Sequence, residues 1–203
     1  MIIEFGDEIS REINTVVLKT YEALDQLDLP GVIEYVPAYA SLMIVYDPEV
    51  TSLDQIGKRL KGLTIKEKRR KASIVMIPIC YDESLALDKK EFLRRSGQQW
   101  EEIIKLHEGI EYQVYMMGFL PGFLYMGEVD QRIQISRKKV PRKKIPKGSV
   151  GIADAQTGIY PVESPGGWNI IGQSPIAFFS TEGKFPIRAG DRVQFFAVSK
   201  KDY

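Results

Sequence analysis

The chain has 203 residues, of which 44% are hydrophobic and 27% are charged, and its formal net charge at pH 7 is +1. This length allows one large domain or two small ones, and the near-neutral charge excludes a globally basic nucleic-acid-binding protein. The single cysteine, Cys80, excludes an internal disulfide, and the sequence shows neither a signal peptide nor an apolar run near the ~18 residues of a membrane span. We therefore expect a cytoplasmic protein without a membrane partner.

Residues 1–80 are predicted to form a small α/β domain. Ile2 to Phe5 is typical of a strand, and Pro30-Gly31 ends the segment that follows it. Within that segment, residues recur at the spacing of one amphipathic helix: Ile9, Ile13, Val16, Val17, Thr20, Leu24 and Leu27.

Two β-rich runs, Val32–Val36 and Leu42–Tyr46, precede a second helix that Thr51 or Ser52 can cap. A charged connector over residues 66–71 leads to a last apolar strand over residues 72–80. The order of these elements is β-α-β-β-α-β, which is the ferredoxin-like arrangement.

Residues 81–203 follow a different pattern. Asp88 and Glu91 predict a capping box for a short helix that ends near Gly97, and a second helix runs from Trp100 to Gly109. Short β-rich runs then alternate with glycine and proline turns: Tyr112–Met117, Ser149–Ala153, Trp168–Gly172, Ile176–Phe179 and Arg192–Val198. Many short strands favour a barrel or a sandwich, so the predicted fold class is α+β.

Several common catalytic motifs are absent from the sequence. It contains no P-loop, no G-x-G-x-x-G after a strand and no G-x-S-x-G. With one histidine and one cysteine, the common zinc sites cannot be assembled. We therefore expect no intrinsic metal or prosthetic group.

The segment from Gly118 to Gly127, GFLPGFLYMG, places glycines and a proline between aromatic residues. One interpretation is a tight connection whose aromatics plug the end of a barrel. The other is the wall of a binding site. In that site Phe119 and Phe123, with Pro121 between them, supply apolar area, and Gly122 offers a backbone amide to a carboxylate or an oxyanion.

A basic run over residues 137–147 contains two arginines and five lysines. Such lysines usually form a solvated face, whereas Arg137 and Arg142 can each hold a carboxylate or a phosphate with two parallel hydrogen bonds. Because the run is one loop-like segment in a nearly neutral chain, we expect no nucleic-acid partner.

Two further segments offer groups for a small ligand, although both also suit ordinary turns. The glycines of SPGGW allow close approach and its tryptophan can stack, while the segment before it combines an amide, a hydroxyl and a phenol. The candidate residues are Gly166, Gly167 and Trp168 in the first and Gln156, Thr157 and Tyr160 in the second.

His107 is the only histidine of the chain, and it is the one side chain expected to titrate near neutral pH without perturbation. At the end of a predicted helix it is either a C-terminal cap, stabilised by the helix dipole, or a catalytic base.

An ordered set of motifs resembles the allophanate hydrolase subunit 1 family, which includes KipI-type kinase inhibitors and the B subunit of bacterial 5-oxoprolinase. The resemblance covers essentially the whole chain, and it implies a small α/β domain followed by a cyclophilin-like β-barrel, at residues 1–80 and 81–203. The motifs are IPICYD (Ile77–Asp82), LH (Leu106-His107), GFLPGFLYMG (Gly118–Gly127), PR (Pro141-Arg142), PKGSVGIA (Pro146–Ala153) and QTGIYPVESPGGWNIIGQSP (Gln156–Pro175).

The chain departs from the family pattern at two places. Ser136-Arg137 stands where a second Pro-Arg is usual, so the arginine is kept and the proline is not. Gln173 stands where an arginine is usual, which removes a guanidinium that could meet an anionic ligand.

The resemblance implies functions of different classes. The one we favour is the B subunit of an ATP-dependent 5-oxoprolinase, which acts on a small anionic amide, uses ATP with Mg²⁺ through the complex, and forms its site with a carboxyltransferase-like C subunit. The LamB/YcsF-like A subunit would complete the enzyme. Arg137 and Arg142 would clamp an anionic group, amides near Gly122 and Gly166 would hold oxygens, and His107 would move a proton.

The alternative is a binding protein that inhibits a sporulation-type histidine kinase. The same loops would then contact a helix bundle, with Phe119, Phe123 and Trp168 as anchors. A third interpretation, an allophanate or urea-pathway hydrolase subunit, shares the chemistry of the first on a smaller substrate.

Overall fold

The computed structural model describes residues 1–62, 73–178 and 187–203, and it divides into two compact units, Met1–Lys71 and Ala72–Tyr203. The first unit contains strand β1 (Ile2–Glu4), helix α1 (Arg11–Asp25), strands β2 (Val32–Pro37) and β3 (Ser41–Tyr46), and helix α2 (Leu53–Lys61). The second unit contains strand β4 (Ile74–Ile79), helices α3 (Lys89–Ser96) and α4 (Trp100–Glu108), strands β5 (Tyr112–Met117) and β6 (Leu124–Gly127), a 3₁₀ turn (Gln131–Ile133), and strands β7 (Arg142–Ile145), β8 (Ser149–Ala153), β9 (Gln156–Ile159), β10 (Ser164–Gly166), β11 (Asn169–Gln173) and β12 (Arg192–Ala197). The predicted α+β class is confirmed.

Both helices of the first unit begin at a serine whose side chain caps free backbone N–H groups. Ser10 accepts hydrogen bonds from the first turn of α1, and Ser52 forms a full capping box with Gln55 at the start of α2. Both predicted helices are confirmed, and Ser52 rather than Thr51 is the N-cap of α2.

The first unit has one antiparallel sheet in the order β1-β3-β2. Apolar side chains from α1, the loop after it, α2 and one face of this sheet form its core: Val17, Leu24, Leu29, Leu42, Ile44 and Ile56. Alternate residues of a strand point to opposite faces, so Met43 between Leu42 and Ile44 is 40% exposed.

The second unit is built on a nearly closed, barrel-like sheet of seven strands in the order β11-β8-β9-β6-β5-β12-β4. Neighbouring strands are antiparallel, except that β12 and β4 are parallel. An isolated bridge between Cys80 and Gln173 joins the two ends of the sheet, with N···O distances of 2.9 and 3.1 Å. Strands β7 and β10 form a separate two-stranded ribbon.

The placement of β4 corrects the sequence prediction. The chain order β-α-β-β-α-β is present, but β4 pairs along its whole length with β12 in the second unit, from Ile74 opposite Arg192 to Ile79 opposite Ala197. The predicted ferredoxin-like domain at residues 1–80 therefore loses its last strand, and the division between the compact units falls at 71/72. Local sequence indicates a strand, but its hydrogen-bonding partner is set by a segment more than 100 residues away.

The remaining strand predictions can be compared directly. The run Trp168–Gly172 corresponds to β11, whereas residues 176–178 form no strand. The predicted connector over residues 66–71 and position 179 lie outside the described residues. Among the described residues, no helix has the length and apolar character that a membrane crossing requires.

The seven-stranded sheet separates two apolar clusters. Val150, Ile152 and Ile171 belong to the large core, which also receives α3 and α4. On the opposite face, Ala153 and Ile170 of the same strands pack with a smaller cluster of aromatic residues. This smaller cluster lies under the glycine-rich segments that the sequence marks as candidate sites.

Candidate functional site

Three buried aromatic rings form the centre of the candidate site. The Phe123 ring packs edge-on against Tyr160 at 5.0 Å and against Trp168 at 5.5 Å between ring centroids, and Tyr125 lies 4.6 Å from Phe123. Such edge-to-face contacts are favourable beyond the area that they bury. Phe123, Tyr160 and Trp168 are at most 2% exposed, so they form a packed floor and not a free stacking surface. We call this floor of three rings the aromatic base.

Glycine at position 158 of β9 makes room for this packing. A Cβ atom there would lie 2.8 Å from both the Leu124 carbonyl oxygen and an indole carbon of Trp168, and 3.1 Å from the Phe123 ring. From the sequence we expect close approach at the glycines of SPGGW, without singling out Gly158. The approaching groups belong to the protein itself: one backbone carbonyl and two aromatic rings.

The GFLPGF segment forms a tight turn over this base. Phe123 and Gly118 close it, with the Gly118 N–H donating to the Phe123 carbonyl at 3.3 Å, and Gly122 has a φ of +85° that suits glycine. Phe119 also has a positive φ, +65°, and its side chain is 64% exposed. Pro121 beside it is exposed. A non-glycine residue with positive φ is strained, and such strain is typical of functional positions.

Arg137 lies directly above the base. Its guanidinium carbon is 5.9 Å from the Trp168 ring centroid, which is a cation–π contact, and the residue itself is exposed. Arg137 forms no ion pair in the part of the chain that the structure describes. It is therefore a positive group held against an aromatic surface and open to an anion.

Both neighbours of Arg137 are fastened to the body of the unit. The Ser136 carbonyl accepts hydrogen bonds from Arg95 at 3.0 Å and from the Asn169 amide at 3.1 Å. The Lys138 N–H donates to the Gly167 carbonyl at 2.8 Å. With the backbone fixed on both sides, the position of the Arg137 side chain is restricted. Binding of an anion would therefore cost less conformational entropy.

Asp88 is the main anchor of this loop. Its side chain is 2% exposed and accepts from the Lys138 ammonium at 2.7 Å, from the Arg142 guanidinium at 2.6 Å and from the Ile170 N–H at 2.8 Å. Glu91 accepts from the same ammonium at 2.6 Å, and this contact lowers the pKa of Glu91. The predicted capping box is wrong, since the Asp88 side chain makes no cap hydrogen bond to α3.

His107 lies inside the large core, away from the aromatic base. It is fully buried and stacks on Phe195 at 4.6 Å. Because the Thr157 hydroxyl donates to the Gly151 carbonyl, it accepts from His107 Nε2–H at 2.9 Å, and His107 Nδ1 accepts from the Tyr81 hydroxyl at 2.9 Å. Burial lowers the pKa of His107 to about 3, so the ring is neutral at pH 7.

The structure therefore divides the predicted site residues into groups. The turn, the base and the loop above it bring together Phe119, Pro121, Gly122, Phe123, Arg137, Tyr160, Gly166, Gly167 and Trp168. Arg142 lies beside them but is paired with Asp88. Thr157 and His107 face the core, and Gln156 begins β9 opposite Ala153 and Gly127. Burial raises the pKa of Tyr160 to about 12, so its phenol stays protonated.

Asp88, Arg95 and Asn169 are parts of this site that the sequence did not indicate. The only local signal was an acidic pair at positions 88 and 91, which is also typical of a helix start. Their role depends on a loop that lies 33 to 54 positions away along the chain, which local patterns cannot reveal. Gln173, the departure from the family pattern, donates its side-chain amide to the Lys147 carbonyl.

Comparisons with known proteins fit this fold and these motifs. The profile of the carboxyltransferase domain, subdomain C and D, matches residues 1–188. A protein of Bacillus subtilis (strain 168) that is named as the B subunit of 5-oxoprolinase is 38% identical over 219 residues, which covers 100% of this chain and 91% of that protein. The Escherichia coli O157:H7 protein of the same name is 33% identical over 173 residues, 83% of this chain and 79% of that protein.

A solved structure agrees with these relatives. The crystal structure of TTHA0988 in space group P212121 matches with a TM-score of 0.88 at 38% identity over 98% of this chain. The chain spans only 40% of the length of TTHA0988. The resemblance seen in the motifs is confirmed: the chain belongs to the family of the carboxyltransferase domain, subdomain C and D, as a relative of the 5-oxoprolinase B subunit.

Proposed function

We propose that the chain is the B subunit of an ATP-dependent 5-oxoprolinase, which hydrolyses 5-oxo-L-proline to L-glutamate. The observation that carries this proposal is the 38% identity over the whole chain with the Bacillus subtilis protein that bears this name. Arg137, which lies over the packed rings of Phe123, Tyr160 and Trp168, supplies a cation that can bind the carboxylate of the substrate.

The substrate is a lactam that carries a carboxylate, and opening its stable amide is coupled to ATP. In the proposed reaction the γ-phosphoryl group moves to the amide oxygen and ADP leaves. Water then attacks the activated carbon, the C–N bond breaks and an acyl phosphate remains, and a second water hydrolyses this anhydride to a carboxylate and phosphate. One ATP and two waters give one glutamate, one ADP and one phosphate. Such a site needs a fixed cation for the carboxylate and donors for the developing negative charge.

We assign the carboxylate contact to Arg137. Its fork can hold a carboxylate with two hydrogen bonds, and its position over Trp168 at 5.9 Å is fixed by the anchored residues on both sides. Arg142 is already paired with the buried Asp88, so in this proposal it positions the loop instead of meeting the substrate. The buried, neutral His107 stabilises the core instead of moving a proton.

The remaining catalytic groups are proposed to come from partner proteins of the complex. The carboxyltransferase-like C subunit would close the site over Arg137, and the LamB/YcsF-like A subunit would complete the enzyme. ATP with Mg²⁺ would bind through the complex. Support comes from the contacts at the described surface around Arg137, which are those of a cation on a packed aromatic cluster and include no acid–base pair.

The test is phosphate release from ATP that depends on 5-oxoproline, measured with this chain together with its genomic A and C partners. Release that disappears when this chain is omitted supports the proposal. No release from the three proteins together would overturn it. Allophanate and urea, tested in the same assay, check the alternative substrates.

Arg137→Ala tests the carboxylate contact. We expect KM for 5-oxoproline to rise by about tenfold or more, because a charge-assisted bidentate contact is lost. Lys139→Ala, an exposed lysine of the same run, is the matched control and should leave KM unchanged. An unchanged KM in Arg137→Ala with active wild-type enzyme would remove Arg137 from the site without affecting the assignment of the chain to the complex.

A second function, inhibition of a sporulation-type histidine kinase, is favoured by one observation. Phe119 is 64% exposed and Val140, in the Arg137 loop, is 79% exposed, and exposed apolar side chains of this kind are typical of protein contacts. Inhibition of kinase autophosphorylation by wild-type chain but not by Phe119→Ala, without phosphate release in the three-protein assay, would favour this function.

A further inference from the structure

The first unit contains a cavity of about 320 Å³ that the proposed function does not use. Its apolar part is formed by Leu29 and Ile56, which are 8% and 2% exposed and belong to the core, together with Pro30 and Val50. Val50 is 59% exposed, so this wall borders on solvent. The size falls at the lower end of the ~300–1,000 Å³ of small-molecule sites.

The polar part of the cavity presents hydrogen-bond donors. Gln55 lines it, and its side-chain oxygen accepts from the Ser52 N–H at 3.0 Å and from the Thr51 hydroxyl at 3.2 Å. Because a backbone N–H can only donate, these contacts fix which end of the amide is oxygen. The amide nitrogen of Gln55 is left to donate to a ligand.

Two cations complete the rim. Lys58 and Arg59 line the cavity from α2, and both residues are exposed. Neither side chain forms an ion pair or a hydrogen bond within residues 1–62, 73–178 and 187–203. Two carboxylates lie in the preceding loop, Asp47 and Glu49, but neither lines the cavity, and Asp47 accepts from the Glu49 N–H.

We propose that this cavity binds a small monocarboxylate with an apolar tail. An apolar floor requires an apolar body, and a rim of two cations and an amide N–H₂ requires an acceptor with negative charge. The fork of Arg59 suits a carboxylate, while Lys58 and Gln55 supply further donors. The cavity lies in the first unit, and the Arg137 surface belongs to the second unit.

Octanoate is the probe, titrated into the ¹⁵N-labelled full chain and followed by the backbone amide signals. We expect saturable shifts centred on residues 29, 31, 50–52 and 55–59, since Pro30 has no backbone N–H. Arg59→Glu should weaken binding by about tenfold or more, since it replaces a charge-assisted contact by repulsion. Lys61→Glu changes the same charge on the same helix outside the cavity lining and should leave the affinity unchanged.

Octanol, which has the same tail and no charge, separates an anion site from an apolar groove. Weaker binding of octanol than of octanoate, with the loss confined to Arg59→Glu, supports the proposal. Absence of saturable shifts with octanoate overturns it. Equal binding of octanol, or equal weakening by Lys61→Glu, also overturns it, because the cations would then not select the ligand.

Discussion

Asp88 accepts from three groups that lie 50 to 82 positions away along the chain, the side chains of Lys138 and Arg142 and the N–H of Ile170. With Glu91, which also binds Lys138, two carboxylates and two cations meet around the nearly buried Asp88 side chain. A buried carboxylate is costly unless it is paired and hydrogen-bonded, and here both of its oxygens accept hydrogen bonds. At the scale of single residues, this one side chain fixes the loop that carries Arg137.

Asp88→Asn should lower the free energy of unfolding by about 3 kcal/mol, because two cations lose the buried charge that they face. Urea unfolding followed by tryptophan emission measures the change in the second unit, which holds both tryptophans. Glu83→Gln is the control: Glu83 is exposed and its nearest lysine nitrogens are 3.8 and 4.0 Å away, so a change within about 0.5 kcal/mol is expected. Equal effects of the two variants would contradict the anchoring role.

Strand β9 illustrates the scale of single elements. Its Thr157 side chain enters the large core and bonds to His107, whereas Gly158, one residue further, faces the aromatic cluster. The strand therefore serves two packed faces at once. On one face it needs a small polar group, and on the other it needs no side chain at all.

Gly158→Ala should destabilise the second unit by about 1–3 kcal/mol, because the added methyl overlaps the Leu124 carbonyl and the Trp168 and Phe123 rings. Trp168 emission should also change, since its ring must move. Gly118→Ala is the matched control in the same surface, where the nearest atom would be a flexible Met116 carbon at 3.4 Å. Destabilisation of similar size in the control would argue against the close packing described for β9.

Helix α3 gives a second example at this scale. Its boundaries were predicted from the sequence, and its end at Gly97 has the left-handed φ of +69° that glycine favours. Its function was not predicted, because the acidic side chains that would cap an isolated helix bind Lys138 and Arg142 in the folded unit. A tertiary ion pair here replaces a local hydrogen bond.

At the scale of the whole molecule, His107 ties together segments that are distant in sequence. Its ring joins Tyr81 after β4, Thr157 in β9 and Phe195 in β12, and its own carbonyl accepts from Tyr112 at 2.9 Å. It is the only histidine, and burial lowers its pKa to about 3. The free energy of unfolding should therefore depend on pH through this one imidazole.

In the unfolded chain the pKa of His107 is near 6.5, so the unfolded state binds more protons between about pH 3 and pH 6.5. The stability that the neutral ring contributes is present above about pH 6.5 and is lost as the pH falls towards the folded-state value. Between about pH 7.5 and pH 5 we expect the free energy of unfolding to fall by about 2 kcal/mol.

His107→Gln should abolish this fall, because the variant has no buried imidazole that takes up a proton when the chain unfolds. Urea unfolding at the two pH values, for wild type and variant, measures it. A wild-type stability that is flat over this interval, or a fall that is retained in His107→Gln, would show that burial of the neutral ring is not the cause.

The sequence by itself determined the helices, most strands and the position of the glycine- and aromatic-rich segments, because capping residues, periodicity and turns act over a few neighbouring residues. It also identified the family, since its ordered motifs extend over the whole chain. Only the tertiary structure decided three features: β4 pairs with β12, Asp88 forms its ion pair with Arg142 and not with Arg137, and His107 is buried. Each of these features depends on contacts between residues that are far apart in the sequence. Such contacts and burial determine the pairing and protonation of a side chain, and a pattern of neighbouring residues does not reveal them.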